Sequence, residues 1–271
     1  MSSAPVLEVD LGPGVRAGFT TRAGGVSPRP WDSLNLGLGV QDDAARVREN
    51  RDRAAGWLGR PVHYATQVHG TGVLVVGAAG RRPVRAGVGE PVAETVPDTA
   101  PDTVADTVGD ADALVGVDGA GVGVLVADCV PVLLADVGAR VVATAHAGRR
   151  GLAAGVVPAV VRAMAEAGAE PSRVRAVVGP SACGACYEVP ATMRDEVAAT
   201  RPAAWSTTSW GTAALDLPAG VVADLDACGV GEVRRTGVCT LEDERFFSHR
   251  RAARAGTTTG RFAGIVALRT S

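Results

Sequence analysis

Three side chains in this sequence have the types that metal or acyl chemistry needs. His69 stands in "QVHG" and His146 in "AHAG", each after a β-like run and beside glycine. Cys129 stands in "ADCVP", at the end of a Val-rich run. Ends of strands running into loops are where sites are commonly built. Two imidazoles and a thiolate make a good tetrahedral zinc set with one position open, and an open position separates a catalytic zinc from a structural one. An ion of that kind lowers the pKa of the water it binds. Spacing alone leaves other readings standing, because no compact pattern links the three. They also read as two loop histidines with a core cysteine, or as a Cys129–His146 nucleophile pair of the thiol-hydrolase kind.

Other motifs carry weaker signals. In "CGAC", Cys183 and Cys186 have the spacing of a zinc half-site or a redox pair. No second CxxC completes a ribbon, and the pair reads as structural loop cysteines. "HAGRRG" puts a glycine turn, Arg149 and Arg150 at a helix start. Free N–H groups and two guanidiniums could hold an anion there, or the turn is a solvated basic one. Asp128 adjoins Cys129 and could shuttle a proton, but strand alternation turns it from the Cys129 face, which favours a structural carboxylate. There is no GxxxxGK[ST] and no GxGxxG opening a helix.

The elements that must position these residues follow from pattern. Residues 6–40 read as short strands and Gly-rich turns. "DDAARVRENRDRAAGWLG" reads as a helix with Asp42 or Asp43 as N-cap and Gly59 as stop. Arg51 falls on its apolar stripe, so it either snorkels outward or points into a polar site. "VHYATQVHG" and "GVLVVGA" read as two strands. Val-rich runs over 111–147 read as buried strands, and "RRGLAAGVVPAVVRAMAEAG" as a helix with Pro158 in its first turn or at a kink. A strand in "RVRAVVG", helices in "ATMRDEVAAT" and "LPAGVVADLDACG", and closing strands in "EVRRTGVCT" and "FAGIVALR" complete the alternation. The class is α+β (mixed α/β), read as one domain over residues 1–271. An Asp-, Thr- and Pro-rich stretch at about 81–110 reads as a disordered acidic insert.

Bulk properties narrow the field. The net charge of −2 gives no basic stripe of the kind nucleic-acid binding needs. No apolar run approaches the roughly 20 residues of a membrane span, and the N-terminus lacks a signal peptide's n- and h-regions. The expectation is a soluble, cytoplasmic protein and, with no exposed amphipathic seam, a monomer. Five cysteines in a long chain argue against a disulfide framework.

Taken together, "GFTTRAGGVS", "SLNLGLGVQDD", "RENR", "QVHG", "DALV", "ADCVPVLLAD", "AHAGRRGL", "VVGPSACGACYEV", "VCT" and "FFSHRR…TGR" resemble the YfiH-type family, long labelled multicopper polyphenol oxidase or laccase-domain proteins. The motifs occur in family order over nearly the whole chain. The resemblance implies a single α-β-β-α layered domain with one zinc ion, held at the positions of His69, Cys129 and His146. It implies purine nucleoside phosphorylase activity, with adenosine deaminase and methylthioadenosine phosphorylase activities. It points Arg51 toward the site, and Arg22, Asn35 and Gln67 become candidates to line it. Arg149 stands where the family has Trp, and His249 where it commonly has Tyr.

On that reading, phosphate attacks the ribose anomeric carbon and the purine leaves, with Arg51, Arg149 and Arg150 as candidate phosphate ligands. Deamination would use a zinc-activated water at C6 of adenine. The oxidase label fails on arithmetic. A blue-copper centre plus a trinuclear cluster needs about ten histidines, and the chain has 4, so laccase activity is rejected as the native function and zinc, rather than copper, is the expected metal. Two other classes stay open. One is an amidase that edits peptidoglycan precursors, with Cys129 or a zinc-bound water cleaving an amide. The other is a structural zinc module, which would need Cys183, Cys186 or His249 as a fourth ligand.

Overall fold

Near-continuous apolar runs, rather than strict alternation, call for strands covered on both faces. The computed structural model, which describes residues 5–77, 84–86 and 107–269, has that arrangement. Its strands are β1 (Val6–Glu8), β2 (Val15–Thr20), β3 (Val62–His63), β4 (Val73–Gly77), β5 (Val84–Ala86), β6 (Ala113–Val117), β7 (Gly121–Val126), β8 (Val130–Asp136), β9 (Val141–Ala147), β10 (Arg175–Val178), β11 (Trp205–Thr207), β12 (Ala213–Leu215), β13 (Glu232–Arg235) and β14 (Phe262–Leu268). Its α-helices are α1 (Ala44–Leu58), α2 (Arg149–Ala154), α3 (Val156–Glu166), α4 (Ala191–Thr200), α5 (Leu217–Ala227) and α6 (His249–Arg254).

One sheet runs β1-β2-β14-β7-β3 and a second runs β13-β10-β8-β9-β6-β4-β5; β11 and β12 form a separate hairpin. Phe19, Val122, Val124, Val126, Phe262 and Val266 of the first sheet share one core with Leu74, Leu114, Leu133, Val142 and Val177 of the second. The sheets therefore stack face to face. The outer face of the second sheet, through Val115, Val132, Leu134 and Ala143, packs on α3 and α5. The outer face of the first, through Leu125, Ala263 and Ile265, packs on Ala54, Trp57 and Leu58 of α1. The layers are α-β-β-α, as the resemblance implied. Strand β8 illustrates the cause: all seven of its residues are buried, with Val130, Val132 and Leu134 facing the helices and Leu133 and Ala135 facing the other sheet. Burying one such Val or Leu is worth about 1.5–3 kcal/mol. No helix among the described residues is long and apolar enough to cross a membrane.

Helix α1 keeps its sequence-predicted ends. The Asp43 carboxylate accepts from Arg46 N at 3.0 Å, and Gly59 closes the helix at φ 79. Arg51 is buried on its inner face with Val47, Asn50 and Ala54.

Several expectations need correction. The segment 62–70 is not one strand. β3 stops at His63; Tyr64 and Thr66 then pair with residues 108–111 instead, and the Asp112 carboxylate gathers the N–H groups of residues 68–70. The run from Arg149 is two helices, broken at Gly155 with φ 95, and Pro158 sits in the first turn of α3. The acidic insert is not structureless at its ends. Residues 84–86 pair with β4, and Val108 N donates to Tyr64 O at 2.9 Å. The rest of that reading, residues 81–83 and 87–106, lies outside the described residues.

Candidate metal centre

Two turns and the end of a strand bring the donors together. His69 sits in the left-handed region at φ 58. Cys129 sits in the bend where the chain passes from β7 to β8, directly after Asp128 at φ 88. His146 is near the end of β9. Non-glycine residues at positive φ cost roughly 1–3 kcal/mol each and persist only where surroundings enforce them. Here the enforcement is visible. The Asp112 carboxylate accepts from His69 N at 2.9 Å and Gly70 N at 2.6 Å. Asp128 accepts from Thr240 Oγ1 at 2.6 Å and Arg250 N at 2.7 Å, while its carbonyl accepts from Ala182 N at 2.9 Å.

The ligating atoms of His69, Cys129 and His146 lie within 4.8 Å of one another. His69 is open to solvent, Cys129 is partly covered and His146 is buried. The two imidazoles meet edge-on with centroids 4.7 Å apart. Gly148 forms the floor. A Cβ built on it would stand 2.9 Å from His69 Cδ2, 3.2 Å from Cys129 Sγ and 3.6 Å from His146 Nε2. The space above this glycine is thus bounded by the three donor side chains themselves.

Electrostatics match a ligand set. His146 Nδ1 lies 2.8 Å from Asp112 Oδ1. A carboxylate only accepts, so Nδ1 carries the proton and Nε2 is left facing Cys129 and His69, the arrangement common to metal-ligating histidines. Burial pushes the Cys129 thiol up, but the imidazoles of His146 and His69 outweigh it and bring it to about 6. Burial likewise pushes His146 down, yet Cys129 and Asp112 raise it to about 10. In the ion-free pair both shifts favour a thiolate beside an imidazolium. The donor set fits a divalent ion of the zinc class by its softness and by its convergence on one point.

The other sequence-predicted residues are scattered more widely. Arg149 and Arg150 open α2, with Gly148 as its N-cap. Arg51 is buried, with Nε donating to Leu36 O at 2.9 Å and its guanidinium 4.7 Å above the Tyr64 ring. Asn35 is wholly buried and its amide is engaged by the chain: Nδ2 donates to Gly37 O and Asp42 Oδ2, and Oδ1 accepts from Gly37 N and Arg261 N. Gln67 exchanges two hydrogen bonds with the Leu125 backbone at 2.8 Å each. Through these bonds Asn35 and Gln67 hold loops in place. Arg22 pairs with Asp32 and lines a different cavity of about 490 Å³, with Arg29, Arg251 and Thr257–Thr259. His249 is the first residue of α6, outside the trio.

Sequence reasoning missed two residues here. Asp112 had no signal beyond its place in "DALV", because its partners come from 34 and 42–44 positions away. Tyr187 is the other. Burial and the Cys129 charge raise its phenol above the ordinary value, with Arg250 and Arg149 offsetting part of that. It stays protonated, and Arg250 stacks 4.4 Å over its ring. Its position directly after the CxxC motif was the available clue.

The chain has relatives among known proteins and solved structures. Residues 16–269 match the family model described as multi-copper polyphenol oxidoreductase laccase. A Streptomyces coelicolor protein named purine nucleoside phosphorylase is 49% identical over 260 residues, covering 94% of this chain and 96% of its own. A Mycobacterium tuberculosis protein of the same name is 40% identical over 256 residues, covering 93% and 91%. Among solved structures, Geobacillus stearothermophilus YlmD matches with TM-score 0.79 and 33% identity over 95% of this chain and 93% of that one. Bacillus licheniformis YfiH matches with TM-score 0.79 and 27% identity over 99% and 97%. A Neisseria meningitidis protein of family DUF152 matches with TM-score 0.77 and 33% identity over 99% and 100%. The chain belongs to the YfiH-type family, whose sequence model carries the laccase description.

Proposed function

We propose that this chain is a zinc-dependent purine nucleoside phosphorylase. It would convert inosine, adenosine, guanosine and methylthioadenosine to base plus ribose-1-phosphate (or its methylthio analogue), with adenosine deamination as a side activity. The observation that carries the enzymatic reading is the convergence of His69, Cys129 and His146 with no fourth His, Cys, Asp or Glu donor among the described residues. A structural zinc module would need that fourth donor. The substrate class is supported by the names of the relatives.

His69, Cys129 and His146 would hold the ion, which supplies Lewis acidity when bound. The chain's own groups do the rest. Asp112 keeps His146 in one tautomer and orientation. Arg149 and Arg150, beside the trio at the start of α2, offer charge-assisted hydrogen bonds to a phosphate dianion, and Arg51 is a third candidate. Tyr187, held protonated and close enough to feel the Cys129 charge, would donate to a departing purine nitrogen. Asp128 is fully engaged in hydrogen bonds, which supports a bracing role over proton transfer.

The test is a nucleoside panel with and without phosphate, read by ribose-1-phosphate release, on wild type and His69→Ala, with metal analysis of both. Zinc content and turnover should fall together in the variant. Retained zinc with full turnover would contradict the proposal. A second reading rests on the proximity of Cys129 Sγ to the His146 imidazole: the His146 ring draws the thiol toward its thiolate, which would make Cys129 a nucleophile. Cleavage of a muramyl amide, with no phosphorolysis of any purine nucleoside, would select the peptidoglycan-editing amidase.

A further inference from the structure

The CGAC turn, read from sequence as structural loop cysteines, meets a second turn in space. Cys186 N and Tyr187 N both donate to Cys183 O, at 3.0 and 2.9 Å. In the second turn, Glu242 N and Asp243 N both donate to Cys239 O, at 3.2 and 2.9 Å. A parallel bridge between Ser181 and Cys239 holds the turns side by side, with Ser181 N donating to Val238 O and Thr240 N to Ser181 O. The three Sγ atoms and a Glu242 carboxylate oxygen thereby fall within 4.8 Å of one another, and Cys186 Sγ is 3.5 Å from Glu242 Oε1.

This is the shape of a closed metal site. Each turn contributes two donors three residues apart, C-x2-C from one and C-x2-E from the other, the short spacing typical of structural zinc. A tetrahedron with bonds of about 2.3 Å has edges of about 3.8 Å, well inside the observed spread. Three thiolates select zinc over magnesium or calcium, which prefer oxygen. Cys186 and Cys239 are buried, Cys183 is partly so, and Glu242 is exposed.

We propose that Cys183, Cys186, Cys239 and Glu242 bind a second zinc-class ion, coordinated wholly by protein. Its role is to clamp two segments that brace the catalytic bend. Ala182, beside Cys183, donates its N–H to Asp128 O, and Thr240, beside Cys239, donates its hydroxyl to Asp128 Oδ1. Tyr187 follows Cys186 directly. The second ion would therefore fix the backbone on either side of Asp128 and Tyr187 without touching substrate. This site stands or falls apart from the phosphorylase proposal.

The experiment is reconstitution under reducing conditions followed by metal analysis. Wild type should hold about two zinc equivalents, and His69→Ala and Cys183→Ser/Cys239→Ser about one each. Cobalt in the His69→Ala protein should show thiolate-to-cobalt absorption from three thiolates, about threefold stronger than in the double-serine variant, whose intact site holds only the Cys129 thiolate. Because that double variant can fail to fold, the wild type is also footprinted by alkylation and mass spectrometry. Zinc should protect Cys183, Cys186 and Cys239, while Cys228, outside the group, stays reactive. A wild type holding a single equivalent that His69→Ala abolishes would overturn the proposal. So would alkylation of the three cysteines at the same rate with and without zinc.

Discussion

Replacing Gly148 by alanine tests the candidate centre at its tightest point. The glycine lies at φ −73, ψ 170, a conformation any residue adopts, so the new methyl acts by contact alone. It would meet His69 Cδ2 at 2.9 Å, whereas carbon atoms rest at about 3.5 Å or more. The His69 ring must therefore retreat by about 0.6 Å, three times the roughly 0.2 Å over which metal–ligand distances hold. Cys129 Sγ, at 3.2 Å, is crowded as well. Without an ion, the open His69 side chain can swing aside; with one bound, it cannot. The strain falls on the bound state. Overpacking costs about 1–3 kcal/mol, and about 1.4 kcal/mol is tenfold in affinity, so zinc binding should weaken roughly 5- to 150-fold. Competition against a chelator of known affinity measures this, with the melting temperature of metal-free protein as the fold control. Gly56→Ala, inside α1 with open space around its Cβ, should leave zinc binding alone and stabilise by up to about 1 kcal/mol. Unchanged zinc affinity in Gly148→Ala would refute the idea that the three side chains close on one ion.

Other substitutions probe different links. Asp112→Asn should weaken zinc binding about 10- to 100-fold, since an amide holds neither the His146 tautomer nor the three N–H groups equally well; chelator competition showing no change would count against it. Tyr187→Phe should lower kcat by about 100-fold or more with zinc content intact, and kcat within about threefold of wild type would remove Tyr187 from the mechanism. Asp136, buried at the end of β8, accepts from Ala139 N, Glu170 N and Arg173. Burial would raise its carboxyl, but these donors outweigh it and hold it below the ordinary value. Its contribution is therefore whole above the unfolded pKa of about 3.9 and is lost as pH falls through the folded value. Asp136→Asn should cost about 1–3 kcal/mol at pH 7, with a gap to wild type that closes in acid. Denaturant titrations at both pH values check this, and a gap independent of pH would sink it.

What could be read from the sequence was local. Asp43 and Gly59 end α1 through their own chemistry, and the Val-rich runs announce strands buried on both faces. The trio was legible because each member stands beside a turn, and the family resemblance ordered them. Long-range partners were not. Asp112 reaches residues 68–70 and 146 only after β6 pairs with β9 and β4. The CxxC motif seemed unfinished because its complement, Cys239 and Glu242, lies more than fifty residues on and is only half cysteine. Asn35 and Gln67 show the reverse limit. A polar residue in a family motif looks the same whether it meets substrate or ties down its own backbone.

The two turns and the strand end that carry the three donors meet only once both sheets are stacked, so an unfolded chain would offer an ion no matching grip. Occupancy then becomes a readout of successful folding. A ligand that binds only the native form adds about 2.7 kcal/mol when present at a hundredfold over its dissociation constant, a large share of a typical domain's margin. For this chain, scarcity of the metal should surface first as a smaller pool of protease-resistant protein, ahead of any change in turnover per surviving molecule.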